Sequence, residues 1–176
     1  MRDRERRQIM AKYTALDIAN LFIDLANSIP NNSIDNAKVN KLCYYAQGWS
    51  FAKLGYPLFG DTVEAWEYGP LIQSVYYTYK PYERNPIEEP TYHFDESRLT
   101  SAELTLLTDV YMTYGKYSSK ELIKKTHAPD SPWRSVYERM KNNPITEESM
   151  RKYFEGSDEL ETMHLRLTPE NVLNYE

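Results

Sequence analysis

The side chains best suited to acid–base or metal chemistry are three histidines and one cysteine: His93, His127, His164 and Cys43. No two histidines stand three or four residues apart, the spacing that places two metal ligands on one face of a helix. His93 precedes two carboxylates in a segment typical of a polar surface loop. Cys43 falls on the apolar stripe of a helical pattern, where a packed, unreactive thiol is expected. These residues predict no catalytic group, no metal site and no cofactor.

Motifs for phosphate binding and nucleophilic catalysis are also missing from the sequence. The six glycines form neither G-x-G-x-x-G nor G-x-x-x-x-G-K-[ST], the loops that cradle phosphate groups. No G-x-S-x-G turn presents a serine as a nucleophile. The sequence therefore predicts a protein that is not an enzyme. The alternative is an uncharacterised hydrolase or metal enzyme, which metal analysis of the purified protein would reveal.

Tyrosine is unusually frequent, with sixteen among 176 residues. Eight lie between positions 44 and 82: Tyr44, Tyr45, Tyr56, Tyr68, Tyr76, Tyr77, Tyr79 and Tyr82. Such a concentration fits a packed core, a stacking platform for nucleic acid or a protein interface. The formal net charge is −5, and residues 1–12 carry +3, residues 13–146 −3 and residues 147–176 −5. Because no basic stripe accompanies the aromatics, direct nucleic-acid binding is not expected.

Helical signals must position these aromatic residues. Capping boxes predict three helix starts: Thr14 with Asp17, Thr100 with Glu103, and Ser118 with Glu121. Apolar spacing predicts another helix over about residues 36–54, ended by Gly55. Ser131 and Thr146 predict two further starts, the first followed by an apolar stripe that reaches Met140. Gly69-Pro70 is interpreted as the start of a helix that carries three tyrosines.

Residues 63–68 alternate in character, with Trp66 and Tyr68 on one side, and predict a short strand. One strand cannot form a sheet, so residues 87–94, which contain Pro90, are the expected pairing partner. The expected fold is mainly α, a compact single-domain bundle of about six to seven helices with a small β-hairpin or short antiparallel sheet.

The predicted organisation is a basic extension over residues 1–12, one domain over residues 13–156 and an acidic tail over residues 157–176. Leu165 and Leu167 in that tail are candidates for one more strand. No segment has the uninterrupted apolar length of a membrane span or the apolar core of a signal peptide. With a single cysteine, the expected location is the cytoplasm, with no membrane partner.

An aromatic surface is the best candidate for function. In the helix over residues 36–54, Val39, Cys43 and Ala46 are expected to face inward, which leaves other positions outward. Three tyrosines within residues 76–79 cannot all share one buried side. The residues predicted to contact a partner are Lys41, Tyr44, Gln47, Trp66, Tyr68, Tyr76 and Tyr77. The alternative is that the aromatics fill the core. A mid-helix glycine, Gly48, predicts a close approach by the backbone of residues 64–68 or by a partner.

The order of these motifs resembles a known family. The segments K-L-x-Y-Y-A-Q-G-W at residues 41–49, P-L-F at 57–59, E-A-W-x-Y-G-P at 64–70 and S-V-Y at 74–76 are similar to the Panacea domain of SocA/GepA-like antitoxins. Residues 15–20 and 114–122 also resemble family segments. So does the T-H…P-W signature formed by Thr126, His127, Pro132 and Trp133. The similarity spans roughly residues 13–155.

This resemblance implies a phage-associated, mainly helical antitoxin of a type II toxin–antitoxin system that neutralises a cognate protein toxin by direct binding. One alternative is a proteolytic adaptor that delivers a bound client to an AAA+ protease, such as a ClpXP-type unfoldase. Another is a phage- or prophage-encoded regulatory binding protein. Some family members carry an added helix-turn-helix domain, for which this chain has no room, so autoregulation by DNA binding is not expected.

Overall fold

The computed structural model describes Arg2 and residues 11–162. Within these residues the α-helices are α1 Ala15–Ser28, α2 Asn36–Lys53, α3 Gln73–Tyr79, α4 Ser101–Tyr114, α5 Ser119–Thr126, α6 Pro132–Val136 and α7 Glu147–Glu155. Two 3-10 turns cover Lys80–Tyr82 and Glu96–Arg98. The strands β1 Glu64–Trp66, β2 Gly69–Leu71 and β3 Asn143–Pro144 form an antiparallel sheet in the order β2-β1-β3. The predicted fold class, a mainly α bundle with a small antiparallel sheet, is confirmed.

Helix starts follow the predicted capping residues. The capping boxes at Thr14, Thr100 and Ser118 are formed in full, with each hydroxyl and each acidic side chain bonded to the opposite backbone N–H. Ser131 and Thr146 cap the N-termini of α6 and α7, as the sequence predicts. The stripe predicted to reach Met140 is wrong, because α6 ends at Val136 and Met140 is 90% exposed.

Helix α2 is the centre of the fold. It packs against α1, α3, α4, α5, α7 and β2. Every residue from Val39 to Phe51 is buried. An apolar stripe predicts one buried face, but here neighbouring elements cover the other faces as well. Burial of each large apolar side chain is worth about 1.5–3 kcal/mol, so packing on all sides holds this helix in place.

Gly48 of α2 lies against Phe154 of α7. A Cβ at Gly48 would stand 2.0 Å from Phe154 Cε2, so another group does approach this glycine closely, but the predicted approach by a backbone segment is wrong. The approaching group is a side chain of α7 and not the backbone of residues 64–68. We expect Gly48→Ala to lower the free energy of unfolding by about 1–3 kcal/mol, because the ring and α7 must move to admit the methyl group. Urea unfolding measures this change.

Gly156 supplies the matched control, since its closest neighbour to an added Cβ is a carbonyl oxygen at 3.6 Å. Gly156→Ala should leave stability near that of the wild type. Equal stability of Gly48→Ala and Gly156→Ala would contradict the close contact between α2 and α7.

The sheet differs from its predicted pairing. β1 pairs with β2 through a two-residue turn at Glu67 and Tyr68, and its other edge pairs with β3. Residues 87–94 form a loop, fixed where the Ile87 N–H donates to the Ile34 carbonyl oxygen at 2.8 Å. The predicted pairing is wrong because a hairpin partner stands only two residues away in sequence, whereas prolines remove ladder donors from residues 86–90.

The predicted helix start at Gly69-Pro70 is also wrong. Gly69 has a φ of +106°, a conformation that favours glycine and does not occur in an α-helix. Both residues belong to β2, where Gly69 pairs with Trp66 and Pro70 with Ala65. Helix α3 therefore begins only at Gln73, after the strand has ended.

Both ends of the described chain contact the domain. Lys12 Nζ lies 3.1 Å from Glu103 Oε2. Beyond α7, the Tyr114 hydroxyl donates to Glu159 at 2.9 Å, and Glu161 pairs with Lys116 at 2.7 Å. The first residues of the predicted acidic tail are thus packed on α4 and α5. Residues 1 and 3–10, together with His164 and the strand candidates Leu165 and Leu167, lie outside the described residues. No helix among residues 11–162 is long and apolar enough to cross a membrane.

Candidate protein-interaction surface

Aromatic side chains gather where the β1–β2 hairpin meets α3. We call Trp66, Tyr68, Tyr76 and Tyr77 the hairpin patch. The Trp66 ring lies 5.3 Å from the Tyr76 ring and 6.4 Å from the Tyr77 ring, centroid to centroid. The two tyrosine rings are 5.1 Å apart. Tyr68 belongs to the hairpin turn. The structure therefore brings together the predicted contact residues Trp66, Tyr76 and Tyr77 and places Tyr68 in the adjoining turn.

The hairpin patch is exposed as well as aromatic. Large apolar side chains that are exposed in the described residues are Tyr68, Tyr77, Tyr92 and Met140. Two of these four belong to the patch, with Tyr68 65% and Tyr77 54% exposed. Tyr92 differs from them because its hydroxyl donates to Asp17 at 2.5 Å. The expectation that part of the tyrosine cluster faces outward is met at the patch.

Polar groups surround the aromatic rings of the patch. Trp66 Nε1 donates to Glu64 Oε2 at 2.7 Å, and the amide of Gln73 donates to the same carboxylate at 3.0 Å. Lys80 Nζ lies 5.6 Å from the centroid of the Tyr77 ring, within range of a cation–π contact. An aromatic centre with a polar margin is the usual composition of a protein–protein contact surface.

Side chains at the end of α5 and in α6 contact the backbone of the hairpin. His127 Nε2 lies 3.0 Å from the Glu67 carbonyl oxygen, and His127 Nδ1 lies 2.6 Å from that of Ile123. Both contacts are hydrogen bonds only when the ring carries two protons, because a carbonyl oxygen can only accept. Trp133 Nε1 donates to the Trp66 carbonyl oxygen at 2.6 Å, and its ring meets His127 edge-on at 3.9 Å.

Two buried asparagines of α2 fix the other side of the patch. Asn40 Oδ1 accepts a hydrogen bond from the Ile72 N–H at 3.0 Å, where β2 ends. Asn36 Nδ2 donates to the Tyr76 carbonyl oxygen at 3.0 Å, within α3. The end of β2 and α3 are therefore both hydrogen-bonded to the central helix.

Tyr44 and Gln47 do not lie on the surface, contrary to the prediction from the α2 pattern. Tyr44 is 1% exposed, with its ring 5.1 Å from the Tyr45 ring and 5.7 Å from the Phe154 ring. Gln47 is 1% exposed; its amide donates to the Phe59 carbonyl oxygen at 2.7 Å and accepts from the Leu58 N–H at 2.9 Å. Tyr44 is therefore a core residue, and Gln47 anchors the loop after α2.

Lys41 is also buried, with 2% of its surface exposed. It lies under the hairpin: a Cβ at Gly69 would stand 2.8 Å from Lys41 Cε and 3.6 Å from Lys41 Nζ. Burial lowers the pKa of its amine to about 8 from an ordinary value of 10.5, against the opposing effect of Asp35. Lys41 is thus adjacent to the patch but faces it from the interior.

The side chains that contact the hairpin and α3 were not identified as functional residues from their types and spacing in the sequence. Thr126, His127 and Trp133 enter the sequence comparison only as part of the T-H…P-W signature, without a role. Asn36 and Asn40 carry a weaker signal, namely amides at a four-residue spacing within an apolar helix. A polar side chain on a buried helix face implies a hydrogen-bond partner, and that partner here is the hairpin and α3.

Other reactive side chains are in ordinary structural settings. Burial raises the pKa of the Cys43 thiol, whose Sγ contacts the Ala15 carbonyl oxygen at 3.9 Å. His93 Nδ1 lies 2.8 Å from Asp24, whose hydrogen bond raises the pKa of the exposed imidazole. Within the described part of the chain, no group of three or more His, Cys, Asp or Glu side chains is placed to hold a metal ion. A groove of about 650 Å³ between α6 and α7 contains no histidine or cysteine and no residue of the hairpin patch.

A protein class is defined by this helical fold, by the hairpin that α2, α5 and α6 contact, and by the sequence segments that form them. The chain belongs to the family of antitoxin SocA-like proteins with a Panacea domain, and the family model matches residues 39–134. That range includes α2 from Val39 onward, the hairpin patch, His127 and Trp133. A curated relative is antitoxin SocA of Caulobacter vibrioides (strain NA1000 / CB15N), 26% identical over 127 residues. The match covers 66% of each chain, slightly less than two thirds of the relative. No solved structure matches this chain.

Proposed function

We propose that this protein is the antitoxin of a type II toxin–antitoxin system and neutralises a cognate protein toxin by binding it through the hairpin patch. Membership of the SocA-like antitoxin family supports the antitoxin role. The observation that carries the binding surface is the exposure of Tyr68 and Tyr77 beside the half-buried rings of Trp66 and Tyr76. Tyrosine and tryptophan dominate the binding energy of many protein interfaces.

The support behind the patch favours this role. A binding surface loses less conformational entropy when its backbone is already ordered in the free protein. Here the Trp66 carbonyl oxygen is bonded to Trp133, and α3 is bonded to Asn36. The backbone that carries the rings is therefore held by hydrogen bonds before a partner arrives.

Co-expression with the product of the neighbouring gene tests the function. That product alone is expected to stop growth of the host, and the wild-type protein is expected to restore growth and to copurify with it. The double variant Tyr68→Ser/Tyr77→Ser should fail to restore growth, because two aromatic contacts are lost at the centre of the surface. Its melting temperature should stay close to that of the wild type, since both side chains are exposed.

Met140→Ser is the matched control, because Met140 is exposed and apolar but lies outside the patch. This variant should restore growth fully. A neighbouring product that is harmless alone would overturn the antitoxin function. Full rescue by Tyr68→Ser/Tyr77→Ser would overturn the binding surface and leave the antitoxin function standing.

A further inference from the structure

Lys41 differs from the other buried ionisable side chains of the protein. Asp17 accepts hydrogen bonds from the Thr14 N–H and the Tyr92 hydroxyl. Glu103 accepts four hydrogen bonds. Among the described residues, no hydrogen bond or ion pair reaches the Lys41 amine, although 98% of this residue is buried. A buried charge without a partner is rare, because desolvation strongly disfavours it.

The amine lies directly beneath the hairpin, 3.6 Å from the position of a Cβ at Gly69. No fully enclosed side-chain nitrogen or oxygen in the described residues lacks a hydrogen-bond partner. Since no described residue bonds to the Lys41 amine, the described residues do not fully enclose its nitrogen. Gly69 leaves room for the lysine because it has no side chain, and a Cβ there would also stand 2.7 Å from the hydroxyl of Thr126, which donates to the Ile123 carbonyl oxygen at 2.9 Å.

An unpaired buried cation lowers the stability of the free protein. The lowered pKa of the Lys41 amine reflects this cost. Burial disfavours the charged form of the amine, and among the described residues only the charge of Asp35 favours it. An apolar side chain of the same length would fill the same space without the cost. Groups that destabilise the free state in this way are characteristic of binding sites, where a ligand supplies the missing partner.

We propose that Lys41 is a specificity-determining residue for the protein partner and receives a carboxylate of that partner, inserted beside Gly69 at the base of the hairpin patch. This inference rests on the proposed function, since the partner is the toxin that the patch contacts. A carboxylate satisfies an ammonium group by both charge and hydrogen bonding, and such pairs are strong when binding removes water from them. The patch then supplies contact area, and Lys41 selects a partner with an acidic group at one position.

Binding of the neighbouring gene's product to the full-length Lys41→Met protein tests the inference. We expect Lys41→Met to have a higher melting temperature than the wild type and to bind this product at least 30-fold more weakly. Lys120→Met, which removes an exposed lysine, is the control and should change neither quantity. Calorimetry at pH 8.5 in buffers of different ionisation enthalpy provides a second readout. Wild-type binding should take up protons, because a paired amine becomes fully charged, and binding by Lys41→Met should not.

Three outcomes distinguish the hypotheses. Weaker binding and lost proton uptake in a stable Lys41→Met protein support the inference. Binding by Lys41→Met within twofold of the wild type overturns it and leaves the proposed function intact. Failure of the wild type to bind the product overturns the proposed function and this inference with it. If Lys41→Met does not fold, Lys41→Gln replaces it in the same titration.

Discussion

Replacement of Tyr44 by alanine is expected to lower the free energy of unfolding by about 3–5 kcal/mol, the range for aromatic truncation in a core. Tyr44 is 1% exposed on the central helix, and its ring packs on Tyr45 and Phe154. Removal of the ring leaves a cavity between α2 and α7 that the surrounding helices can close only in part. Equilibrium urea unfolding at neutral pH measures the loss.

Tyr44→Phe is the matched control. Within the described structure the Tyr44 hydroxyl has no hydrogen-bond partner, so its removal should change stability by less than about 0.5 kcal/mol. Tyr77→Ala should likewise leave stability nearly unchanged, because that side chain is 54% exposed. A Tyr44→Ala protein as stable as Tyr77→Ala would contradict the buried position of Tyr44.

Replacement of Glu103 by glutamine is expected to cost about 3 kcal/mol at pH 7. This fully buried carboxylate accepts hydrogen bonds from the Tyr13 hydroxyl at 2.6 Å, the Tyr56 hydroxyl at 2.8 Å, the Thr100 N–H at 2.9 Å and Lys12 at 3.1 Å. Burial opposes its ionisation, but these bonds outweigh burial and lower its pKa from 4.5 to about 2. At about 1.4 kcal/mol per pKa unit, the shift corresponds to the expected loss.

The pH dependence has a definite sign. The folded state holds Glu103 ionised more strongly than the unfolded state does, so its contribution is complete above pH 4.5 and is lost as pH falls toward 2. The stability difference between the wild type and Glu103→Gln should therefore shrink across that window. Glu121→Gln is the control, since Glu121 holds the equivalent capping position of α5 but is exposed, and its effect should be much smaller. A constant difference from pH 7 to pH 2 would contradict the assignment.

Local signals made much of the fold predictable. Hydrogen-bonding side chains three residues apart determine helix starts, and the predicted capping boxes at Thr14, Thr100 and Ser118 all form. The class of fold follows from these starts and from the apolar spacing between them. The strand at β1 was also predictable, because alternation is a property of adjacent residues.

Long-range packing was not predictable from the same signals. The apolar stripe of α2 identifies one buried face, but five helices and β2 cover the helix on all sides, so Lys41, Tyr44 and Gln47 are interior residues. Gln47 in particular is polar because it bonds to the backbone of a loop, and no pattern within α2 reveals that loop. The pairing of β1 with β2 was missed because Gly69-Pro70 suits both a helix start and a strand, and only the pairing with Trp66 decides between them.

The exposed tyrosines were predicted for a reason that does not depend on packing. Tyr76, Tyr77 and Tyr79 occupy nearly a full helical turn, so one core cannot bury all three. The structure buries Tyr79, half-buries Tyr76 and exposes Tyr77. The position of Trp66 follows from the alternation of β1, in which Ala65 faces the core, whereas Tyr68 is exposed because it lies in the turn after β1.

Calorimetric titration of the purified product of the neighbouring gene into this protein most directly tests whether the hairpin patch is the toxin-binding surface. We expect the dissociation constant of Tyr68→Ser/Tyr77→Ser to exceed that of the wild type by roughly 1,000-fold, since aromatic residues at interface centres contribute about 2 kcal/mol each and every 1.4 kcal/mol is tenfold in affinity. Met140→Ser should bind like the wild type. A dissociation constant for Tyr68→Ser/Tyr77→Ser within threefold of the wild-type value would show that the toxin binds elsewhere.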